Sequence, residues 1–174
     1  EPLKKGLVDM LITDLEVSKE IQLIERSRLN EILNEIDLQQ SAFIDESSAV
    51  KIGKGLGAEY IVTGSYIVQA GFMRVDARMI DVENGKIVFA VKSEGNTSDW
   101  LSIERKLATE LLEGLGATLT PIQKKRIGSS GTRNFNALSA YSMGLDALDA
   151  GDTAAASDAL ARAVAADPEF AAAQ

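Results

Sequence analysis

The sequence contains neither cysteine nor histidine, and each absence excludes a class of chemistry. Without cysteine the chain can form no disulfide, no thiolate metal site and no cysteine nucleophile. Without histidine it lacks the usual serine triad, the ordinary catalytic zinc site and the commonest general base at neutral pH. We therefore expect no catalytic residue, no metal site and no cofactor, and we interpret the protein as a non-enzyme.

Aromatic residues and long apolar runs are also scarce. Phe, Tyr and Trp make up 5% of the 174 residues, so the core must consist mainly of Leu, Ile, Val and Ala. Its few large members are expected to be Tyr60, Tyr66, Phe72, Phe89 and Trp100. No apolar run approaches the roughly 20 residues that span a bilayer as a helix, and the opening residues hold no signal-peptide core. We expect a trimmed chain, with membrane attachment only through a missing amino-terminal anchor.

Positive charge is in deficit, with 18 Lys and Arg against 26 Asp and Glu and a net charge of −8. Such a surface repels a phosphate backbone, so nucleic acid is excluded as an expected partner. The hydrophobic fraction of 45% and the charged fraction of 25% are those of an ordinary globular protein. Protein partners, including a second copy of this chain, remain as the expected binding class.

The sequence pattern in the first half of the chain predicts helices and one short strand. Apolar residues at helical spacing predict a first helix that runs to about Leu15. The β-rich segment Ile21–Ile24 predicts a strand, and Ser27 is the expected N-cap of a second helix. Asp45 is expected to cap a third helix, which Gly57 ends in a left-handed conformation.

From Glu59 onward the pattern changes to the two-residue period of strands. Strands at 60–68, 73–79 and 86–94 are joined by short turns at Ala70-Gly71 and Asn84-Gly85, which predicts an antiparallel meander. A long helix that opens at Trp100 follows, and Thr120-Pro121 then starts a short one. We therefore predict an α/β fold with a mixed sheet whose three-stranded antiparallel meander is packed by helices.

A helical hairpin of tetratricopeptide type is predicted at the carboxyl end. Gly144, Ala156 and Leu160, followed by Asp167-Pro168, have the register of a repeat of about 34 residues. The predicted organisation is an α/β domain at 1–127, a flexible linker at 128–133 and a single hairpin with the start of another helix at 134–174. Because one hairpin cannot bury its own apolar face, it must dock on the first domain, on a second copy or on further repeats.

Three groups of residues are candidates for protein interaction. Charged side chains at the junction of the predicted strand and helix form one group, and alternating charges on the exposed face of a strand form the second. The third lies on the hairpin. Salt bridges to neighbouring helices, for the first group, and simple solvation, for the second, are alternative interpretations. The candidates are Glu25, Arg26 and Arg28; Arg74, Asp76 and Arg78; and Tyr141 and Leu145.

An ordered series of motifs covers most of residues 1–116: Leu23-Ile24-Glu25-Arg26-Ser27-Arg28-Leu29-Asn30-Glu31-Ile32-Leu33, Asp45-Glu46, Ala49, Gly53, Leu56-Gly57-Ala58-Glu59-Tyr60-Ile61-Val62-Thr63-Gly64, Ala77-Arg78 and Asp81-Val82-Glu83-Asn84-Gly85. This series resembles the CsgG/HfaB family of curli-type assembly and transport components, which is related in fold to the TolB amino-terminal domain and to lipoprotein activators of peptidoglycan synthases. The resemblance implies a bacterial α/β domain, periplasmic or attached to the outer membrane, often oligomeric, that acts by binding.

Two departures from the family restrict what the resemblance implies. The family's first strand and its lipid-attachment cysteine are absent from this sequence. The turns at Ala70-Gly71 and Asn84-Gly85 leave no room for membrane-spanning hairpins, so we expect a scaffold for assembly or secretion without its own pore. Similar domains also occur with tetratricopeptide repeats in cytoplasmic regulators, and a module that senses a ligand or partner is the alternative interpretation.

Overall fold

The computed structural model describes residues 3–24, 28–29, 31–32, 45–129 and 131–174. Within these ranges the chain forms a three-stranded sheet, helices packed against it and a carboxy-terminal helical hairpin, so the predicted α/β class is confirmed. In chain order the elements are α1 (Lys4–Leu15), α2 (Glu46–Leu56), β1 (Tyr60–Gln69), β2 (Phe72–Asp81), β3 (Ile87–Asn96), α3 (Trp100–Gly114), α4 (Pro121–Arg126), α5 (Phe135–Asp149) and α6 (Thr153–Ala166), with 3₁₀ turns at Thr97–Asp99 and Ala171–Ala173.

The predicted meander is confirmed, with strand order β1-β2-β3 and antiparallel pairing throughout. The predicted mixed character is not: the sheet has no parallel pair among the described residues, because the segment Ile21–Ile24 does not join it. Ala70 and Gly71 join β1 to β2, and their φ angles of 50° and 78° are both left-handed. Two such residues give a hairpin turn whose twist matches that of the strands. Between β2 and β3 the register shifts at Met79 and Ile80, so this second pairing is irregular at one end.

One face of the sheet carries the core. Every second residue of β2 is buried there, as its alternating sequence predicts, and α3 packs across the same face. We call this side of the sheet the inner face. The β2 residues are Met73, Val75, Ala77 and Met79, and the α3 residues buried with them include Trp100, Ile103, Leu107 and Leu111.

The predicted ends of α2 are confirmed. The carboxylate of Asp45 accepts a hydrogen bond from the backbone N–H of Ser48 at 2.7 Å, and Gly57 ends the helix with a φ of 67°. Gly53 faces the turn between β2 and β3 so closely that a Cβ there would lie 2.4 Å from Cγ2 of Val82. This close approach places α2 on one end of the sheet.

The helical hairpin docks on α1, which is the first of the three arrangements left open by the sequence. Leu3 occupies the N-cap position of α1 and has no side chain that can accept a hydrogen bond from the helix. Ser142 of α5 supplies one instead, since its Oγ accepts from the backbone N–H of Gly6 at 3.0 Å. Within the hairpin, a Cβ at Gly144 would lie 2.7 Å from Leu160, so the predicted close contact between these helices is present. The assignment to the tetratricopeptide type stays a prediction.

The described part of the predicted linker is packed. The Gly128 N–H donates to the buried carboxylate of Asp14, and the hydroxyl of Thr132 donates to Asp167. The first bond ties the segment to α1 and the second ties it to the hairpin. The boundaries 1–127, 128–133 and 134–174 stay a prediction, because contacts across them do not test whether the parts fold separately.

Three expectations need correction or fall outside the described residues. The predicted strand Ile21–Ile24 is wrong: the segment is irregular, and Ile21 and Leu23 pack on the core without pairing into the sheet. Its apolar residues signal burial, which an irregular segment also achieves. Of the helix predicted from Ser27 the structure describes only Arg28, Leu29, Glu31 and Ile32, all helical, and Ser27 itself lies outside the described residues.

Two of the five expected core aromatics are exposed. Tyr60 begins the edge strand β1 and Phe72 follows the turn after it, and both positions face solvent. The large aromatic members of the core are Trp100, Tyr141 and Phe170, with Tyr66 and Phe89 partly buried against them.

Candidate functional site

The sheet face opposite α3 carries three of the predicted interaction residues, Arg74, Asp76 and Arg78. We call it the outer face. Strand alternation and register place on it the side chains of Thr63, Ile67, Phe72, Arg74, Asp76, Arg78, Lys92 and Glu94. Helix α2 covers only the end nearest Ile80, whose side chain is buried there.

Four charged residues form a compact group in the middle of the outer face. The guanidinium of Arg74 donates two hydrogen bonds to the carboxylate of Asp76, at 2.7 and 2.6 Å. On the neighbouring strand, Lys92 Nζ donates to Glu94 Oε1 at 3.3 Å. Register places Arg74 opposite Glu94 and Asp76 opposite Lys92, so every neighbour of each charge has the opposite sign.

The pairing of Arg74 with Asp76 changes both pKa values in the direction expected of an ion pair. Its hydrogen bonds to Asp76 raise the pKa of Arg74, and the same bonds lower the pKa of the Asp76 carboxyl. Both groups are therefore charged across the physiological range. The structure brings Arg74 and Asp76 together as the sequence predicts, and it adds Lys92 and Glu94 from the next strand.

Arg78 follows Asp76 on the same face of β2 and lines a recess. Its register neighbours are the uncharged Thr63 and Ala90. Asp45, Glu46 and Ser47 at the start of α2 close the other side of the recess, whose volume is about 460 Å³. The recess is open to solvent and combines one cation with two carboxylates and two hydroxyls, which suits hydrogen bonding to a peptide surface.

The hairpin candidates contribute to an internal contact. Tyr141 is only 5% exposed, its hydroxyl donates to Asp9 Oδ2 at 2.8 Å, and its ring meets that of Phe170 edge-on at a centroid distance of 5.0 Å. Leu145 is partly buried against the same core. These side chains hold the hairpin on α1, so any partner that reached them would first have to displace that contact. Their role in binding a separate protein stays a prediction.

The remaining candidates are only partly described. Glu25 and Arg26 lie outside the described residues. Arg28 is helical and exposed. The interaction role of all three residues stays a prediction.

Sequence reasoning missed a buried pair of carboxyl groups. Glu104 on α3 is 1% exposed and Asp14 on α1 is also buried. Burial, reinforced by the negative charge of Asp14, raises the pKa of Glu104 to about 9. The sequence does hold one signal for the burial of Glu104. It lies four residues after Trp100, so helical spacing places this charged residue on the apolar stripe of α3. The pair adjoins neither the recess beside Arg78 nor the groove on α6, and we assign it a structural role.

Within the described ranges, no cluster of three or more metal-ligating side chains is present. None of the described helices is both long enough and apolar enough to cross a bilayer. The second recess, about 760 Å³, is an apolar groove on α6 that Leu148, Leu160 and Val164 line together with alanines. The described surface thus offers grooves and charged patches.

Parts of the chain are similar to known proteins. The chain is 28% identical over 110 residues to the Tol-Pal system protein TolB of Desulfosudis oleivorans, a match that covers 63% of this chain and 24% of that protein. The chain thus spans about a quarter of the relative's length. The solved LpoB C-terminal domain from Salmonella enterica aligns with 19% identity and a TM-score of 0.39, over 44% of this chain and 57% of that one.

The family comparison concerns the amino-terminal part of the chain. Residues 2–71 match the family described as curli production assembly/transport component CsgG. Together with the TolB match, this is consistent with the cell-envelope location that the motifs predict. The matched segment contains α1, α2 and β1, which include the Asp45 cap and the edge strand. The family resemblance drawn from the sequence motifs is therefore confirmed: residues 2–71 are CsgG-like.

Proposed function

We propose that this chain is a non-enzymatic, protein-binding module of the bacterial cell envelope that acts as a scaffold in assembly or secretion. The observation that carries the proposal is the CsgG match at residues 2–71, which includes Asp45, Glu46 and Thr63 of the recess. The TolB match supports the same class of protein. The absence of histidine and cysteine from the sequence supports a role without catalysis.

The outer face is the surface that we assign to the protein partner. Its central charges neutralise one another, so the patch can be covered without burying a net charge. Ile67 and Phe72 are exposed at one end of the face and Arg78 lines the recess near the other. An apolar anchor beside a satisfied polar patch is the usual anatomy of a protein interface. The partner is then a protein that presents apolar side chains together with hydrogen-bonding groups of both kinds.

Site-specific photo-crosslinking in cells tests this assignment. A photoreactive residue in place of Arg78 should form an adduct with an envelope protein other than this chain, identified by mass spectrometry. The control position is Arg162 on α6, which is also exposed and lies away from the sheet. Equal yields of the same adduct from both positions, or no adduct from Arg78, would contradict the assignment of the outer face.

The alternative function, a module that senses a ligand, predicts a different experimental result. A small molecule that binds only the folded state raises the melting temperature, and the stabilisation grows with the logarithm of its concentration once that concentration exceeds Kd. A reproducible shift with a metabolite, without any adduct at Arg78, would replace the scaffold proposal with the sensor interpretation. A turnover by the purified chain would overturn the non-enzymatic assignment.

A further inference from the structure

Positive charge is concentrated in one stretch of this acidic chain. No acidic residue occurs between Glu113 and Asp146. The cations of this stretch are Lys124, Lys125, Arg126 and Arg133. The stretch thus has a charge of +4, and the remainder must have −12 to give the total of −8. Because three of the four cations lie next to one another on α4, this short helix is a local positive surface that attracts anions.

Helix α4 is fixed to the body of the protein on one side. The Nε2 atom of Gln123 donates to the backbone carbonyl of Val17 at 3.1 Å. Ile127, directly after the helix, is 1% exposed. The reciprocal cap between Thr120 and Gln123 closes the first turn. The other side of α4 is therefore held in a defined orientation toward solvent.

The solvent side of α4 combines one apolar residue with two cations. Ile122, Lys125 and Arg126 share this side, because residues three and four apart are neighbours on a helix surface. Ile122 is 74% exposed, the highest exposure among the large apolar residues that the structure describes. Lys124 bonds to Glu113 at 2.9 Å, whereas Lys125 and Arg126 have no ion-pair partner within the described ranges. We call Ile122, Lys125 and Arg126 the α4 face.

The α4 face lies away from both ends of the chain. Through Val17 the helix contacts the carboxyl end of α1, while Leu3 lies before the other end of that twelve-residue helix, about 18 Å away. The carboxy-terminal residues lie on the hairpin, where Phe170 packs on Tyr141. The exposure of the α4 face is therefore set by how α4 packs on α1 and α3.

The chemistry of the α4 face fits the surface of an anionic lipid bilayer. An apolar side chain between cations enters the boundary between headgroups and acyl chains, while the stems of Lys and Arg lie along it and their charges reach the phosphates. Neither of the two recesses described above is lined by a residue of α4, so the face offers no groove to a peptide. An acidic protein segment would pair with the cations but would leave Ile122 in water.

We propose that the α4 face is a peripheral membrane-contact site for anionic bilayers, in which Ile122 inserts and Lys125 and Arg126 bind headgroup phosphates. The contact is weak and sensitive to salt, because one side chain and two unpaired cations are fewer than a stable anchor needs. Helix α4 packs on α1 and α3, and α3 covers the inner face of the sheet. A chain that rests on a bilayer through α4 therefore keeps its outer face free. The inference is independent of the proposed scaffold function.

The first test is cosedimentation of the full chain with lipid vesicles. At low salt the wild-type chain should bind vesicles of phosphatidylcholine and phosphatidylglycerol in equal parts, and it should not bind vesicles of phosphatidylcholine alone. Added salt should release it. Lys125→Glu and Arg126→Glu should each lower the partition coefficient by about tenfold, and Ile122→Ser should do so by a similar factor.

Two matched controls lie on the hairpin. Leu148→Ser removes an apolar side chain that is 48% exposed on α5. Arg162→Glu on α6 changes the net charge as much as Arg126→Glu does, and Arg162 is also exposed. Both controls should leave the partition coefficient nearly unchanged. Circular dichroism establishes that each variant is folded, which the exposure of these side chains leads us to expect.

The second test detects insertion, and it uses the absence of cysteine from the chain. Ile122→Cys gives a single attachment point for a fluorophore that responds to polarity. Its emission should shift to the blue on the anionic vesicles, because the label leaves water. A label on Leu148→Cys should show no such shift.

Each experiment can overturn the proposal. A wild-type chain that does not bind anionic vesicles at low salt has no such site. Binding that the control variants weaken as much as the α4 variants, or a bound chain whose label at position 122 does not shift, would place the contact elsewhere. An acidic protein that binds wild type but not Lys125→Glu, without any binding to vesicles, would replace the bilayer as the occupant. Crosslinking from Arg78 does not involve α4, so failure of either proposal leaves the other standing.

Discussion

Asp14 on α1 and Glu104 on α3 place two carboxyl groups against each other in the interior. Among the described residues no hydrogen-bond donor reaches either oxygen of Glu104. Asp14 accepts from the backbone N–H of Gly128. Two carboxyl groups can form a hydrogen bond with each other only if one of them is protonated. A protonated Glu104 can therefore donate to Asp14. This bond, together with the bond from Gly128, would link α1, α3 and the segment after α4.

This pair makes stability fall as pH rises. The pKa of Glu104 is about 9 when folded against 4.5 when free, so folding between these values requires the uptake of a proton. The contribution of protonated Glu104 to the unfolding free energy is fully present below about pH 4.5. It is lost as the pH rises through about 9. Glu104→Gln provides an N–H donor without that uptake. We expect a flatter pH profile and a more stable protein than wild type at about pH 8.

Urea unfolding at about pH 5, 7 and 9 measures this effect, since the slope of the unfolding free energy with pH counts the protons exchanged. The control is Glu110→Gln on the exposed side of α3, where Glu110 pairs with Lys106. That variant should follow the wild-type profile. If Glu104→Gln also ran parallel to wild type, the shared proton would be disproved.

Tyr141 tests the docking of the hairpin on α1. Tyr141→Phe removes the hydroxyl and with it the hydrogen bond to Asp9, and it should lower the unfolding free energy by about 1 kcal/mol. Tyr141→Ala also removes the ring that packs on Phe170, and the expected loss is about 3–5 kcal/mol. Chemical denaturation of both variants gives the comparison. Equal, small losses would mean that the hairpin contributes little to global stability.

The contact between Gly53 and Val82 predicts that the effect of Gly53→Ala on stability changes sign when Val82 is shortened to Ala. Gly53→Ala should destabilise the protein, because the new Cβ would overlap a Val82 methyl. In a Val82→Ala background that methyl is gone, and the same substitution should stabilise by up to about 1 kcal/mol through helix propensity. A double-mutant cycle on melting temperature provides the measurement. Additive effects would contradict the steric explanation.

Thr120 anchors the short helix α4 through a reciprocal cap. Its hydroxyl accepts from the Gln123 N–H at 3.3 Å, and the Gln123 side-chain oxygen accepts from the Thr120 N–H at 2.9 Å. Thr120→Ala should cost about 1 kcal/mol. Thr118→Ala is the control, because Thr118 is exposed and bonds Glu20 through its backbone alone. A loss of the same size in both variants would show that the cap is not its source.

The features that followed from the sequence are those that depend on near neighbours. Asp45, Gly57 and Thr120 cap helices by bonds within a few residues, and the alternation of β2 is a property of one strand. The outer-face pair Arg74 and Asp76 was found for the same reason.

The features that escaped prediction depend on distant parts of the chain. Ile21–Ile24 is apolar enough for a strand, but burial on the core took the place of pairing. Asp14 and Glu104 are 90 residues apart in sequence, and their shared proton depends on the packing of two helices. Tyr60 and Phe72 were expected inside because aromatic residues usually are, whereas their strand positions lie at an open edge and beside a turn.

The bond from Gly6 to Ser142 sets an order of events during synthesis. It joins residues 136 positions apart, so α1 leaves the ribosome long before the helix that completes its amino-terminal turn exists. Until then Leu7 and Met10 lack part of their final cover. The newly made chain therefore passes through a stage in which the apolar face of α1 is not yet covered by the hairpin. We expect chaperones and proteases to act on the chain during that stage.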